Sequence, residues 1–479
     1  MRKSVLIVGG GFSGTVLAAQ LLRRAPTLSI AVIDKNDVPA RGLAYGTEHD
    51  CHLLNVCGAD MTAFPDVPDH FWQWAQENWP KSNYNSPVEQ PIHSRSFLPR
   101  SFYGRYIGSV LHEITAAPNS QLQWLQDEAI AIRCDTDGFV VERKSGPTLL
   151  ARAVVIATGN FPPGNLGVPG LTKDAQRYVQ QAWSWSKDKE ALANLSDEDS
   201  ILLVGSGLTS IDMAIALHSK KFRGKIHILS RHGLIPHSHK RVEPAPRFWD
   251  DSSPRTIRGL LRLLREQARA AEASGSDWRC VMDALRPLIQ QVWQSLPIKE
   301  QRRFLRHAKC YWEVHRHRIA PEISRIFSSM IASGQIQIHA GRITNYSESP
   351  AAAEVTFRPR SSDDLQTLRV ARMINCSGPQ TDCRKINSPF LASLFEQQLV
   401  RQDALALGLD TDANGAVFDA SGGLSRCLFA IGPLRKGRLW ESTAVPDLRL
   451  QAAELAKHLL SGPLRDEANI LHSENLVAR

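Results

Sequence analysis

The chain has 479 residues, more than one ordinary hydrophobic core supports, so we expect two or three domains. Hydrophobic residues make up 43% and charged residues 22%, which is typical of a globular protein. No apolar run reaches the roughly 18 residues that a membrane span requires, and the apolar stretch at 5–8 is too short for the core of a signal peptide. We therefore expect a cytoplasmic protein without a membrane partner.

The formal net charge of +9 is concentrated in one part of the chain. Residues 254–318 contain 14 Lys and Arg against 6 Asp and Glu, so this segment alone carries +8. It contains no recognisable nucleic-acid recognition module, and we therefore expect no nucleic-acid partner. The positive charge therefore belongs to this segment, and the rest of the chain is nearly neutral.

The predicted elements form two nested strand–helix–strand units. The first has strands at 5–8 and 30–33 around a helix at 15–24, and a loop-rich region at 40–110 precedes strands near 121–134, 138–144 and 153–156. The second has strands at 201–204 and 225–229 around a helix at 209–219. A wholly helical stretch at 254–332 follows, then strands near 335–340, 353–358 and 370–375. A last strand at 427–431 and a helix at about 443–460 return to the first unit.

The first unit contains the motif Gly9-Gly10-Gly11-Phe12-Ser13-Gly14, which fits G-x-G-x-x-G between a strand and a helix. Its first glycine permits a tight turn, the second lets the backbone approach a pyrophosphate, and the third allows close helix–strand packing. An acidic residue 20 positions further on, Asp34, can accept hydrogen bonds from a ribose. The predicted dinucleotide-binding residues here are Gly9, Gly11, Phe12, Ser13, Gly14, Asp34 and Lys35.

The second unit contains Gly205-Ser206-Gly207-Leu208-Thr209-Ser210, in which Ser210 replaces the third glycine. No acid ends the next strand, which continues into Arg231. An arginine there suits the 2′-phosphate of NADPH, which an acid would repel, although a solvated surface arginine is the alternative interpretation. The predicted binding residues are Gly205, Gly207, Leu208, Thr209, Ser210 and Arg231.

Further glycine endings follow predicted strands at Ala157-Thr158-Gly159, at Cys376-Ser377-Gly378 and at Gly432. Thr443 or Ser442 can cap the final helix, whose dipole would favour negative charge at its N-terminus. A simple buried C-terminal helix is the alternative. The predicted binding residues in these segments are Thr158, Gly159, Gly378, Gly432 and Thr443.

These segments resemble two-dinucleotide-binding flavoproteins, which include N-hydroxylating monooxygenases and disulfide reductases, and more narrowly a bacterial family of FAD/NAD(P)-binding oxidoreductases. The segments that carry the resemblance lie at 8–14, 42–45, 52–56, 204–209, 230–234, 316–318 and 440–449. The resemblance implies an α/β fold with two Rossmann-like domains, the second inserted into the first, and FAD and NADPH as cofactors. It predicts FAD-binding parts at 1–165 and 373–465, an NAD(P)H-binding domain at 166–372 with a basic helical insertion at about 240–332, and a C-terminal tail at 466–479.

Two departures narrow the function. None of the eight cysteines forms a Cys-x-x-Cys pair, so a dithiol reductase and a zinc ribbon are both disfavoured. The region 177–183 lacks the histidine of the fingerprint that Baeyer–Villiger enzymes share, so oxygenation of a ketone is disfavoured. The leading hypothesis is a monooxygenase that uses NADPH and molecular oxygen to oxygenate a small polar metabolite, which could be anionic, through a peroxyflavin. An NAD(P)H-dependent reductase and a non-catalytic nucleotide-sensing protein are the alternatives, and the oligomeric state stays open.

The catalytic residue is not determined by the sequence, and the candidates are Asn55, Tyr45 and His317. Asn55 and Tyr45 belong to a loop that would pass the flavin if the resemblance holds, and Asn55 is also a predicted cofactor ligand. His317 alternates with two arginines and could bind an anionic substrate or end a helix. Three histidines at 232, 237 and 239 lack a nearby carboxylate or cysteine at ligand spacing, so no metal is expected.

Overall fold

The computed structural model describes residues 2–80, 86–187 and 195–465, with side chains omitted at 185–187. The predicted tail at 466–479 lies outside these residues. Within them the chain forms two sheets, joined and flanked by helices. None of the helices in this part of the chain is long and apolar enough to cross a membrane.

The first sheet contains eight strands in the described chain, and four of its pairings are parallel. Its strands are β1 Lys3–Val8, β2 Ile30–Asp34, β3 Leu122–Gln126, β4 Ala129–Asp135, β5 Gly138–Arg143, β6 Leu149–Ile156, β14 Ala416–Phe418 and β15 Leu424–Ala430. The order is β14-β15-β6-β1-β2-β3, with β5 pairing on β6 and β4 on β5. Because β1 and β2 are buried on both faces, each contains a continuous apolar run, at 5–8 and at 30–33.

The second sheet contains seven strands in the described chain. Its strands are β7 Tyr178–Val179, β8 Ser200–Val204, β9 Lys225–Ser230, β10 Ile336–Glu348, β11 Ala353–Pro359, β12 Gln366–Val370 and β13 Arg372–Asn375. The order is β12-β11-β10-β9-β8-β13-β7, and all of it lies between β6 and β14 in the chain. The second fold is therefore inserted into the first, as the sequence predicts. Strand β13 crosses the predicted boundary at 372/373, and the domain boundaries otherwise stay predictions.

Helices cover both sheets and form the predicted insertion between β9 and β10. The helices are α1 Phe12–Arg24, α2 Gly42–Tyr45, α3 His70–Asn78, α4 Arg100–Ala116, α5 Ala182–Lys187, α6 Leu208–Ser219, α7 Ile257–Ala273, α8 Trp278–Leu285, α9 Ile289–Ser295, α10 Ile298–Arg303, α11 Lys309–Arg316, α12 Pro321–Ala332, α13 Pro389–Glu396 and α14 Val445–Ser461. Helix α7 begins with a side-chain cap, since the Thr256 hydroxyl accepts a hydrogen bond from the Gly259 N–H. The insertion contains helices as predicted, which begin at Ile257, and its bounds at about 240–332 stay a prediction.

A buried polar contact joins the two folds. Arg100 in α4 forms an ion pair with Asp212 in α6, with 2.8 Å between Nη1 and Oδ2. His52 spans the same boundary, because its Nε2 donates to the Asp212 carbonyl oxygen at 3.0 Å and its Nδ1 lies 2.9 Å from Thr47 Oγ1. Burial lowers the pKa of His52 to about 3, and the imidazole is therefore neutral at neutral pH.

Candidate dinucleotide sites and the domain junction

The glycine turn after β1 is held by backbone-to-backbone packing. Gly9 has a φ of +108°, and a Cβ there would lie 2.3 Å from the Ala157 carbonyl oxygen at the end of β6. A Cβ at Gly14 would lie 2.0 Å from the Gly9 carbonyl oxygen. Both positions therefore require glycine, one for its left-handed backbone and both for the close approach.

The turn after β8 repeats this geometry with one difference. Gly205 has a φ of +111°, and a Cβ there would lie 2.6 Å from the Cys376 carbonyl oxygen at the end of β13. Ser210, the counterpart of Gly14, is buried, and its hydroxyl donates to the Gly205 carbonyl oxygen. The second helix thus accommodates a side chain where the first has none.

Open space lies beside the start of α6 and beside the glycines that follow β6 and β13. Gly11 and Gly207 are the N-caps of α1 and α6, and neither helix has a side-chain cap to occupy its leading N–H groups. A Cβ added at Gly207, Gly159 or Gly378 would meet no other heavy atom within 4 Å. Uncapped N–H groups with room before them are suited to phosphate oxygens.

Two buried polar atoms beside the first turn have no partner in the described chain. These are the Thr158 hydroxyl and the Trp124 indole N–H. Trp124 lies against the turn, since a Cβ at Gly10 would lie 2.2 Å from its ring. Buried polar groups without a partner are rare in native proteins, so the residues present fit a polar ligand such as the predicted dinucleotide.

Asp34, the predicted ribose acceptor, is buried at the end of β2 beside the same turn. Its Oδ2 accepts a hydrogen bond from the Gly10 N–H at 3.1 Å, and its Oδ1 accepts one from the Asn36 N–H at 3.1 Å. Burial raises its pKa, which these hydrogen bonds oppose. Lys35 is exposed, with its ammonium 3.9 Å from Glu128. A carboxylate has further acceptor capacity, so a ribose contact by Asp34 stays a prediction.

Arg231 lies exposed just after β9, at the open end of the second turn. Leu208 and Thr209 are half-buried in the first turn of α6, beside that opening. The guanidinium of Arg360 contacts the His232 ring next to Arg231. Sequence reasoning missed Arg360 because it follows β11, far along the chain from the motif. Two arginines therefore lie at the place predicted for the 2′-phosphate.

The final helix meets the first turn at Gly432. A Cβ at Gly432 would lie 3.1 Å from the Ser13 hydroxyl, so these two predicted ligands are neighbours. The prediction that Thr443 or Ser442 caps the helix is wrong, because the N-cap is Ala444 and has no side-chain cap. The Ser442 hydroxyl instead donates to the Gly432 carbonyl oxygen at 3.1 Å, and Thr443 is exposed.

Glu441 connects the helical insertion to this segment. It is 4% exposed and has a φ of +67°, a left-handed conformation that is uncommon outside glycine. Its carboxylate accepts a 2.5 Å hydrogen bond from Trp312 Nε1 and lies 2.9 Å from Arg316 Nε. His317 Nε2 lies 4.0 Å from the same carboxylate. The candidate His317 is therefore part of a buried charged group that the sequence did not reveal.

The same junction contains a second arginine, Arg318. Arg318 is 5% exposed and pairs with Asp283, while its Nε and Nη1 have no acceptor in the described chain. Burial lowers the pKa of Arg318 and of the neighbouring His317, the latter against the opposing charge of Glu441. We call Arg316, His317, Arg318 and Glu441 the junction cluster.

The other two catalytic candidates make different contacts. The Asn55 carbonyl oxygen accepts a 3.0 Å hydrogen bond from His239 Nε2. Burial and the nearby Arg318 lower the pKa of His239 to about 3. Tyr45 packs edge-on against Tyr103, with 4.7 Å between the ring centroids. Its ring centroid lies 6.3 Å from that of Phe12. Tyr45 thus lies beside the glycine turn, and burial raises its pKa.

The residues in the described ranges include no group of three or more His, Cys, Asp and Glu side chains that could hold a metal ion. The three histidines at 232, 237 and 239 contact different residues. His232 contacts Arg360, His237 packs on Trp278 and His315, and His239 binds Asn55. All eight cysteines are free.

The first turn lies in the part of the chain that matches a known family model. Residues 6–161 match the model of the FAD-NAD(P)-binding family. Two nested dinucleotide folds of this kind are the architecture of two-domain FAD/NAD(P)-binding flavoproteins, and the predicted fold class is confirmed. The predicted cofactors, FAD and NADPH, agree with the match to this family model.

Solved structures with this fold cover nearly the whole chain. The ornithine N-hydroxylase of Kutzneria sp. 744, a complex with FAD, NADP⁺ and L-ornithine, has a TM-score of 0.65 at 12% identity and covers 96% of this chain and 99% of its own. The FAD-bound cadaverine monooxygenase of Erwinia amylovora has a TM-score of 0.64 at 13% identity and covers 97% and 96%. The bacillithiol disulfide reductase of Bacillus cereus has a TM-score of 0.56 at 14% identity and covers 96% and 99%. No curated protein sequence matches the chain.

Proposed function

We propose that this protein is an FAD-dependent monooxygenase that oxidises NADPH and transfers one oxygen atom to a small, anionic metabolite. In the overall reaction NADPH, a proton, O₂ and the substrate give NADP⁺, water and the oxygenated substrate. FAD, when bound, supplies the hydride acceptance and oxygen activation. The observation that carries the proposal is the junction cluster, in which the insertion places buried charges against the segment that leads into α14.

The first turn would hold FAD and the second NADPH. Thr158 and Trp124 offer unpartnered donors at the first turn, and Asp34 offers acceptor capacity for a ribose. Arg231 and Arg360 offer positive charge at the second, where the first turn has an acid. Fixed positive charge favours the nicotinamide nucleotide that carries a 2′-phosphate.

The junction cluster would bind the substrate and handle its proton. Because burial lowers the pKa of His317, the imidazole is neutral at neutral pH and can accept a proton that the substrate releases as oxygen is transferred. Arg316 holds the Glu441 carboxylate in place, and that carboxylate can stabilise the imidazolium that forms. The two unpartnered nitrogens of Arg318 would bind a carboxylate or a similar anionic group of the substrate.

A reductase is the second candidate, because disulfide reductases share the fold. A dithiol mechanism finds no support in the chain, since none of the eight cysteines is paired. Cys376, which lies at the end of β13 beside the second turn, is fully buried, and burial raises the pKa of its thiol to about 12. The thiolate needed for attack is therefore disfavoured there.

The proposal is tested by following oxygen after reduction. Flavin-loaded protein is reduced with one equivalent of NADPH without oxygen and then mixed with oxygenated buffer, while oxygen uptake and hydrogen peroxide release are recorded together. A monooxygenase retains the oxygen that it has taken up, so peroxide should appear after a delay. Peroxide release in step with oxygen uptake would overturn the oxygenase proposal in favour of the reductase.

Two matched variants connect the delay to the junction cluster. His317→Gln retains a hydrogen-bonding side chain without a titratable ring and should change the pH dependence of the delay. His112→Gln, at an exposed position of α4 outside the cluster, is the control and should leave that pH dependence unchanged. If both variants keep the wild-type pH dependence, His317 is not the proton-handling residue.

A further inference from the structure

The apolar core of the insertion is divided into two small groups. One contains Ile289, Trp293 and Trp440, and the other contains Trp249 and Leu285. Leu260 and Trp312 pack against both. A single insertion core would bury these side chains together, so the division marks a place where the helices do not meet.

A cavity of about 550 Å³ fills the space between the two groups. Helix α7 provides one wall with Leu260, Leu261, Leu264 and Ala268, which recur at helical spacing on one face. The opposite face of α7 is exposed and basic, and the apolar face therefore looks onto the cavity. Ligand pockets in proteins commonly span roughly 300–1,000 Å³, and this cavity lies within that range.

Two tryptophans in the wall carry hydrogen-bond donors without partners. Trp249 and Trp440 are each 3% exposed, and both line the cavity. The indole Nε1 of each is buried and has no acceptor in the described ranges. A buried donor without a partner is unfavourable, so two such donors beside one apolar cavity call for an acceptor that the described chain does not provide.

We propose that this cavity is a binding site for an apolar small molecule that carries an oxygen acceptor, such as an aryl or alkyl ketone, ester or ether. The hydrocarbon body packs on the α7 face, and the oxygen accepts from the indole N–H groups. The cavity is distinct from the junction cluster but shares a wall with it. Trp312 lines the cavity with its ring while its N–H donates to Glu441 at 2.5 Å.

The site thus goes beyond the proposed function, in which Arg318 binds an anionic group. Its walls contain few polar side chains, which are those of Arg265, His307, Tyr311 and His315. A strongly polar metabolite would lose its hydration there without compensation. An apolar compound gains roughly 25 cal/mol for each Å² of apolar surface that it buries.

The test uses two matched probes, 2-acetylnaphthalene and 2-ethylnaphthalene, which differ in one carbonyl oxygen. Each is titrated against flavin-loaded protein with 1-anilinonaphthalene-8-sulfonate as the displaced fluorescent reporter. Both probes should bind, and the ketone should bind severalfold more tightly. Trp249→Phe and Trp440→Phe keep a ring but lose the N–H, and at least one of them should abolish the preference for the ketone.

Helix α7 offers a matched pair of variants to locate the site. Ala268→Trp fills the cavity and should weaken both probes at least tenfold, whereas Ala270→Trp places the same side chain on the exposed face and should leave binding unchanged. Flavin content and circular dichroism establish that each variant is folded, and Ala268→Leu is the smaller filler if Ala268→Trp does not fold. Absence of binding in the wild type, or equal binding by both α7 variants, would overturn the proposal. Because no NADPH is present, this result is independent of the monooxygenase test.

Discussion

The two glycine turns have the same backbone geometry but carry different side chains. In both, the first glycine adopts a φ near +110° and packs on the carbonyl that ends a neighbouring strand. They differ at the third motif position, where Gly14 leaves no room for a Cβ while Ser210 donates its hydroxyl to the turn. They also differ after the second strand, where buried Asp34 contrasts with exposed Arg231. The shared backbone geometry suits a dinucleotide at each turn, and we propose that the side chains at these two positions distinguish which one binds.

The largest effect should come from disrupting the two glycine turns one at a time. Gly9→Ala and Gly205→Ala each combine a clash within 2.6 Å of a carbonyl oxygen with a left-handed φ. Overpacking and backbone strain together cost on the order of 4 kcal/mol. Gly9→Ala should be purified without flavin, whereas Gly205→Ala should retain flavin and lose reduction by NADPH. Flavin absorbance and anaerobic bleaching measure both, and a flavin-free Gly205→Ala protein would contradict the assignment.

The contact between the folds predicts a dependence on pH. The pKa of buried His52 is about 3 in the folded protein against an ordinary 6.5, so the unfolded chain binds more protons between these values. Stability should therefore fall as the pH drops below 6.5. Between pH 7 and pH 5 this one residue contributes a loss of about 2 kcal/mol.

His52→Gln removes that titration while keeping a hydrogen-bonding side chain. Chemical unfolding at both pH values should show a loss of stability about 2 kcal/mol smaller in the variant than in the wild type. His218→Gln, on the same interface helix α6 but at its exposed C-terminal end, is the control and should keep the wild-type dependence. An unchanged pH dependence in His52→Gln would show that His52 is not held neutral.

A smaller effect should come from the two arginines near the second glycine turn, where the first turn has an acid instead. Arg231→Ala and Arg360→Ala should each raise the KM for NADPH about tenfold, equivalent to about 1.4 kcal/mol, and leave that for NADH unchanged. Arg223→Ala, at an exposed position before the start of β9, is the control. Equal changes for both nucleotides would place these arginines outside the 2′-phosphate site.

The smallest effect should come from the third motif position of the second turn. Ser210→Ala removes one buried hydrogen bond to the Gly205 carbonyl oxygen and should cost about 1 kcal/mol of unfolding free energy. Gly14→Ser, the reciprocal change, would place a Cβ 2.0 Å from the Gly9 carbonyl oxygen and should cost more. Denaturant unfolding compares the two. Equal costs would show that the helix–strand distances in the two turns are the same.

The nested architecture was predictable because its signals are local. Each glycine turn lies between an apolar run and a helical period, so the residues that define it are neighbours in the chain. The capping prediction at Thr443 failed because Ser442 forms a hydrogen bond with Gly432 that sequence spacing does not indicate. Glu441 was missed for a related reason, since its partner Trp312 is 129 residues away.

The central claim is that NADPH at the second turn reduces FAD at the first. Anaerobic mixing of the flavin-loaded protein with NADPH and, separately, with NADH tests it most directly, with flavin absorbance as the readout. The account predicts that NADPH bleaches the flavin at lower concentration than NADH does. A bound flavin that neither nucleotide bleaches would contradict the enzyme assignment and favour a nucleotide-sensing protein.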